Sequence, residues 1–224
     1  MQIYRILSAL LSYPQPELIA AIAEIELALQ DEPETLDALE ELLDFLKATD
    51  LISLQENYVG TFDRTPSVAL HLFEHIHGES RDRGQAMVDL IEEYRRYGFE
   101  PEISELPDYV PLFLEFLSLV EPETAEKLLG EAIHVIAAIG ARLLRKGSPY
   151  ANALLVLTTL TDVVPQEQGE PPVRDMDEAM ETFGPGADGV EPLLKPMLSG
   201  THTVNFYPRQ TKTAAAGPLP SSCQ

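Results

Sequence analysis

Apolar residues recur at helical spacing along almost the whole chain up to about residue 164, as in Leu18, Ile22, Ile25 and Leu29, then Leu36, Leu39, Leu43 and Leu46. These stripes predict amphipathic helices. Pro33 opens the second of them, with acidic residues in its first turn that complement the helix dipole, so Asp31–Pro33 reads as a helix–helix turn. The pattern continues through Asp50–Asp63. Pro66 and Gly78 bracket a short helix containing HLFEHIH, and a longer helix is expected from Arg81 to Tyr97. In ELPDYVPLFLEFL, Asp108 is positioned to cap a helix whose third position is Pro111, with Leu112, Phe116 and Leu119 as its buried stripe. Glu121–Lys146 repeats the period at Leu129, Ala132, Ile136, Ile139 and Leu143, and ends in a basic turn followed by Gly147. The run Ala153–Leu160 is apolar all round, which places it in the middle of a bundle. No convincing strand alternation and no internal repeat interrupt this, so the expected fold is all-α, a single-domain helical bundle.

The pattern changes after Val164. Half of the 18 prolines fall in residues 165–224, where GEPP, FGPGADG and TAAAGPLPSS have the composition of flexible chain. The expected division is a helical domain at 1–164 and a largely irregular, Pro/Gly-rich tail at 165–224. Within the tail, residues 203–209 include the apolar island VNFYPR; docking back onto the bundle is its favoured role, because Phe206 and Tyr207 would bury large areas.

Charge narrows the classes of partner. A formal net charge of -22 repels phosphate backbones and anionic headgroups, so neither nucleic acid nor a membrane surface is an expected partner, whereas a cationic peptide would be drawn inward. The apolar start of the chain is shorter than the roughly 20 residues that span a bilayer and lacks a cleavage pattern, so a cytoplasmic location without membrane insertion is expected. The only cysteine is Cys223, which removes any internal disulfide or thiolate metal cage.

Two constellations bear on chemistry. His71, Glu74 and His75 spell H-x-x-E-H, the inverted zincin order; histidines four apart share a helix face and could hold zinc, with Glu74 as base. Against this remote hydrolase reading, the helix is short, Leu72 and Phe73 look like core anchors, and a third ligand is missing. Following it, Arg81 and Arg83 succeed Ser80, a candidate N-cap. Two cations thus sit at a helix end that disfavours each by roughly 0.3–1 kcal/mol, offset in part by Asp82. Their retention there points to pairing with Glu74, Glu79 or Glu115, or to a ligand. No phosphate loop, dinucleotide fingerprint or nucleophile elbow is present, and the chain is not expected to be an enzyme.

The run from Leu72 to Leu90, LFEHIHGESRDRGQAMVDL, closely resembles the signature of the NarJ family of nitrate reductase assembly chaperones. YVGTFDR at Tyr58–Arg64, ELPDYVPLFLEFL at Glu105–Leu117 and LLSYP at Leu10–Pro14 resemble that family too. One departure stands out: the family usually has Asp-His-Leu-Pro where this chain has Asp108-Tyr109-Val110-Pro111, and Tyr109 cannot accept a proton near neutral pH as imidazole does. The resemblance implies a TorD-like all-α fold and a system-specific chaperone for respiratory nitrate reductase. It implies a client, the catalytic (alpha) subunit, bound chiefly through its N-terminal segment and kept competent for insertion of bis-molybdopterin guanine dinucleotide. The chaperone then leaves the finished enzyme. It holds no cofactor stably, and molybdenum cofactor biosynthesis proteins are further candidate partners.

An ordered client helix requires an apolar groove, since exposed ion pairs at under about 1 kcal/mol each cannot offset the cost of ordering a peptide. The expected groove lies near the signature helix and the ELPDYVPLFLEFL helix, with Phe62, Tyr109 and Phe116 as walls, ordinary core packing being the alternative for each. Glu74, Glu79, Asp82, Asp108 and Glu115 are the expected rim acids, with His75, His77, Arg81 and Arg83 beside them. Arg64, Arg81, Arg83, Arg95 and Arg96 would have to converge for cofactor phosphates to be held directly. A helical scaffold or adaptor is the alternative class of function.

Overall fold

The computed structural model describes residues 2–78, 80–101 and 105–166. Nine α-helices form among them: α1 (Gln2–Leu11), α2 (Pro16–Ala28), α3 (Pro33–Ala48), α4 (Leu51–Tyr58), α5 (Leu72–His77), α6 (Asp82–Arg96), α7 (Val110–Leu119), α8 (Pro122–Arg145) and α9 (Ala151–Leu155). A π turn at Val59–Asp63 extends α4, and 3-10 turns cover Pro66–Val68 and Val156–Thr159. The all-α expectation is met: the described residues contain no strand, only a single antiparallel bridge between His71 and Tyr109. The tail from residue 167 on, with its 203–209 segment and Cys223, and Glu79 lie outside the described residues.

Helix starts follow the proline and cap signals. Pro16, Pro33 and Pro122 occupy the first turn of α2, α3 and α8, where a missing N–H costs nothing. Asp50 caps α4, its carboxylate accepting from the Ser53 N–H at 3.1 Å and from the Ser53 hydroxyl at 2.7 Å. At the far end of α8, Gly147 takes a φ of 67°, and the Ser148 N–H turns back to the Leu143 carbonyl at 3.0 Å, which closes the helix.

The core is built around α8, whose Ala125, Leu129, Ile133, Ile136, Ile139 and Leu143 are buried. Against it lies the run Ala153–Leu160, whose Ala153, Leu154, Val156 and Leu157 are buried as its hydrophobicity required, while Thr159 near its end is exposed. The Cβ-less face of Gly140 permits this approach: a methyl there would stand 3.0 Å from Leu155 Cδ2. Buried Arg142 is accommodated because its guanidinium donates to the Ser67 carbonyl at 3.0 Å. α1 packs along α7, and the Ser8 hydroxyl donates to the Pro111 carbonyl at 2.7 Å.

Three local expectations are corrected. Leu119 is 66% exposed: the stripe that α7 buries is Val110, Phe113, Leu114 and Leu117, with Phe116 on a flank and Leu112 only partly covered. Asp108 does not cap α7, which starts after Tyr109 without a side-chain cap. The helical period of α4 does not run on unchanged to Asp63, because the Arg64 N–H reaches back five residues to the Val59 carbonyl at 3.1 Å.

α6 fully buries only Tyr94, so little packing anchors it and its own helix propensity matters. Gly84 lies in its first turn, exposed, and a Cβ there would meet nothing within 4 Å. Gly84→Ala is therefore expected to strengthen α6 by up to about 1 kcal/mol, read as roughly fivefold slower hydrogen exchange of its amides.

Candidate functional site

Three of the runs singled out in the sequence meet at one cleft. LLSYP contributes Tyr13, YVGTFDR contributes Tyr58, Phe62 and Asp63, and the start of ELPDYVPLFLEFL contributes Glu105 and Tyr109; Leu70 and His71 complete a cavity of about 240 Å³. Tyr13 also lines a neighbouring depression of about 450 Å³ bounded by Ile52, Gln55, Glu56, Val59 and Arg64. The two depressions share Tyr13 and lie along α4 and its π turn, and together they are the candidate groove.

The inner wall is aromatic. Phe62 lies 4.8 Å from Tyr58 between ring centroids and 5.1 Å from Tyr150, and Tyr13 meets Tyr58 edge-on at 5.6 Å. The Tyr58 hydroxyl donates to the Leu11 carbonyl at 2.9 Å and lies 2.7 Å from the Tyr109 hydroxyl. Since Tyr58 has one proton and uses it on Leu11, the Tyr109 hydroxyl is the donor in the second bond. Burial pushes Tyr109 up to about 12, with Glu105 and Asp63 adding to it, and burial raises Tyr58 further. Both phenols keep their protons at neutral pH. Behind them, the buried Tyr150 hydroxyl has no hydrogen-bond partner among the described residues, and burial raises its pKa as well.

Asp108 organises the outer wall from inside. It is fully buried, and its Oδ2 accepts the Phe73 N–H at 2.9 Å while its carbonyl accepts the Leu72 N–H at 3.0 Å. It therefore caps α5 across the fold. Its Oδ1 lies 3.4 Å from His71 Nδ1, and the His71 ring stands 5.4 Å from that of Tyr109. The His71–Tyr109 bridge is closed by the Val110 N–H donating to the Leu70 carbonyl at 2.8 Å.

The anticipated site residues divide into three places. Phe62 and Tyr109 line the cleft, and Asp108 lies beneath its wall instead of on its rim, because its carboxylate is consumed by α5. Glu74, His75, His77, Arg81, Asp82 and Arg83 occupy the α5–α6 hairpin. Arg83 Nη2 approaches Glu74 Oε2 at 4.0 Å, the Ser80 hydroxyl accepts the Asp82 N–H at 3.2 Å, and Arg81 is exposed. On α7, Glu115 is exposed whereas Phe116 is 1% exposed, packed on Tyr94 and Phe99.

The zinc geometry is not formed. His71 precedes α5 in extended backbone, so it does not share a helix face with His75, whose Nε2 donates to the Ala69 carbonyl at 2.8 Å. Among the described residues no group of three His, Cys, Asp or Glu side chains could hold a metal ion. Of the five arginines that would have to converge to hold phosphates, three are drawn to separate carboxylates: Arg95 to Glu100 at 2.9 Å, Arg96 to Glu93 at 2.6 Å and Arg83 to Glu74 at 4.0 Å.

Tyr13, Tyr58, Asp63, Leu70 and Glu105 were not anticipated as site residues, although four of the five lie in the runs already noted, and His71 was anticipated only as a zinc ligand. Tyr109→Phe tests the hydroxyl pair. It removes the proton that Tyr58 accepts while leaving the Tyr58–Leu11 bond, so a loss of about 1 kcal/mol in chemical denaturation is expected.

Comparison with known proteins gives a consistent answer. The family described as "Nitrate reductase delta subunit" matches residues 29–155. The chain is 40% identical over 152 residues to the "Probable nitrate reductase molybdenum cofactor assembly chaperone NarW" of Escherichia coli (strain K12), covering 67% of this chain and 64% of that one. It is 41% identical over 165 residues to the "Nitrate reductase molybdenum cofactor assembly chaperone NarJ" of the same strain, covering 70% and 68%. To the "Probable nitrate reductase molybdenum cofactor assembly chaperone NarJ" of Bacillus subtilis (strain 168) it is 36% identical over 154 residues, covering 67% and 83%. The chain thus spans somewhat less than two thirds of the first of these relatives.

Proposed function

This chain belongs to the nitrate reductase delta-subunit family, and from that premise we propose that it is a system-specific assembly chaperone for a respiratory nitrate reductase, with no catalytic step of its own. It binds the N-terminal segment of the apo catalytic subunit in the cytoplasm. It keeps that subunit open for insertion of its bis-molybdopterin guanine dinucleotide and is absent from the finished complex.

One observation carries the assignment of the client contact to the groove: rings from distant parts of the chain line a cleft whose mouth bears Asp63 and Glu105. If a client segment of about 15 residues folds on binding, ordering its backbone costs on the order of 15 kcal/mol. Intrahelical bonds and apolar side chains, each worth roughly 2 kcal/mol when buried, supply most of the compensation. The rings provide that apolar surface, and the acids raise the association rate of a basic segment. Cofactor phosphates find no comparable welcome at a net charge of -22. No helix among the described residues is long and apolar enough to cross a membrane.

Calorimetric titration of the full chain with a peptide copying the client's N-terminus is the direct test. Saturable one-to-one binding with a negative heat-capacity change, weakened only modestly by salt, is expected. Absence of heat and saturation at any salt concentration would refute the client assignment.

A further inference from the structure

We infer that the cavity enclosed by Tyr13, Tyr58, Phe62, His71, Glu105 and Tyr109 is a subsite for one arginine side chain of the client segment. The inference rests on the client reading above and adds to it the chemistry of the anchor. Size sets the first limit. About 240 Å³ is below the range of roughly 300–1,000 Å³ that encloses cofactors and drug-sized ligands, and it suits a single large side chain.

Hydrogen-bond capacity sets the second. The Tyr58 hydroxyl is saturated, donating to Leu11 and accepting from Tyr109. Tyr109 has spent its proton on Tyr58, so its oxygen retains only accepting lone pairs. His71 Nδ1 faces Asp108 Oδ1 at 3.4 Å, and with the proton on Nδ1 the Nε2 of the neutral ring is an acceptor. Asp63 and Glu105 accept through their carboxylates, and neither forms an ion pair among the described residues. Apart from the Tyr13 hydroxyl, which can donate as well as accept, the polar side chains named here offer acceptors, and none is a lysine or arginine; Arg64 lines the neighbouring depression across Tyr13.

An apolar occupant would cover these acceptors without replacing their water, and an anion would face two carboxylates. A cation with several donors satisfies them. Among cationic side chains, guanidinium is favoured over ammonium because its planar face can stack on one ring of the aromatic wall while its edge donates to separated oxygens.

The test uses the full chain and three forms of the peptide copying the client's N-terminal segment: natural, with every arginine replaced by citrulline, and with every arginine replaced by lysine. Citrulline keeps the shape and removes the charge. The citrulline form is expected to bind at least about tenfold more weakly, and Glu105→Gln should weaken the natural form while leaving the citrulline form unchanged. Equal binding of natural and citrulline forms, or a segment lacking arginine, overturns the subsite and leaves the client reading intact. Equal binding of the lysine form overturns the choice of guanidinium. N-acetyl-arginine amide, titrated alone while the His71 and Tyr109 ring resonances are followed, separates the two readings. If it shifts those rings while the natural peptide fails to bind, the subsite stands and the client assignment falls; if neither binds, both fall.

Discussion

Replacing Phe116 by alanine is expected to cost about 4 kcal/mol of stability and roughly 10 °C of melting temperature, while changing affinity for the client peptide by less than about twofold. The ring is 1% exposed and has three aromatic neighbours, with centroids 4.6 Å away at Tyr94, 5.8 Å at Tyr97 and 5.7 Å at Phe99. Truncation opens a cavity in that cluster. The loss spreads because Tyr94 is the single buried residue of α6 and its hydroxyl donates to the Pro107 carbonyl at 2.6 Å, tying α6 to the segment that enters α7. A groove wall would behave differently, losing binding at temperatures where the variant is folded. Thermal denaturation, with calorimetry well below the variant's melting point, distinguishes the two. A tenfold loss of affinity in folded protein would return Phe116 to the groove.

Phe116 illustrates what a one-dimensional pattern conveys. That the residue faces inward was read correctly, although the stripe assigned to it, Leu112, Phe116 and Leu119, misses the phase of α7, which buries Val110, Phe113, Leu114 and Leu117 beside it. Which interior it faces is decided by α6 and the turn before Phe99, and no periodicity encodes that pairing. Helix starts and stops were readable for a different reason. Pro33 and Gly147 act locally, through a fixed φ and a left-handed φ, so the sequence neighbourhood suffices.

The groove was legible only in fragments. Tyr13, Phe62, His71 and Tyr109 come from four separate stretches, and each is an ordinary aromatic or histidine in its own window. Their meeting depends on α1 packing along α7 and on the bridge between His71 and Tyr109, which are contacts distant in sequence. Asp108 misled for the opposite reason. Beside the start of α7 it has the local look of an N-cap, but Tyr109 intervenes before the helix and its carboxylate faces the free amides of α5. The local rule named the right chemistry and the wrong helix.

Asp108→Ala should consequently weaken both fold and site, by roughly 2–3 kcal/mol in stability. The variant strands the Phe73 N–H and withdraws the acceptor facing His71 Nδ1, so α5 loses its cap and the histidine ring loses what orients it beside Tyr109. Solvent serves part of that loss, because the His71 side chain is 28% exposed while that of Asp108 is 0% exposed. Asp108→Asn keeps a carbonyl oxygen for Phe73 and can meet the other histidine tautomer with its amide, so it should recover most of the stability. Client affinity should follow the order wild type, Asn, Ala, measured where all three are folded. Equal stability of the alanine variant and the wild type would show that α5 does not depend on the cap; alanine and wild type binding equally in folded protein would separate the cap from the groove. Either result would break the link from a buried carboxylate, through a six-residue helix, to the wall of the proposed client site.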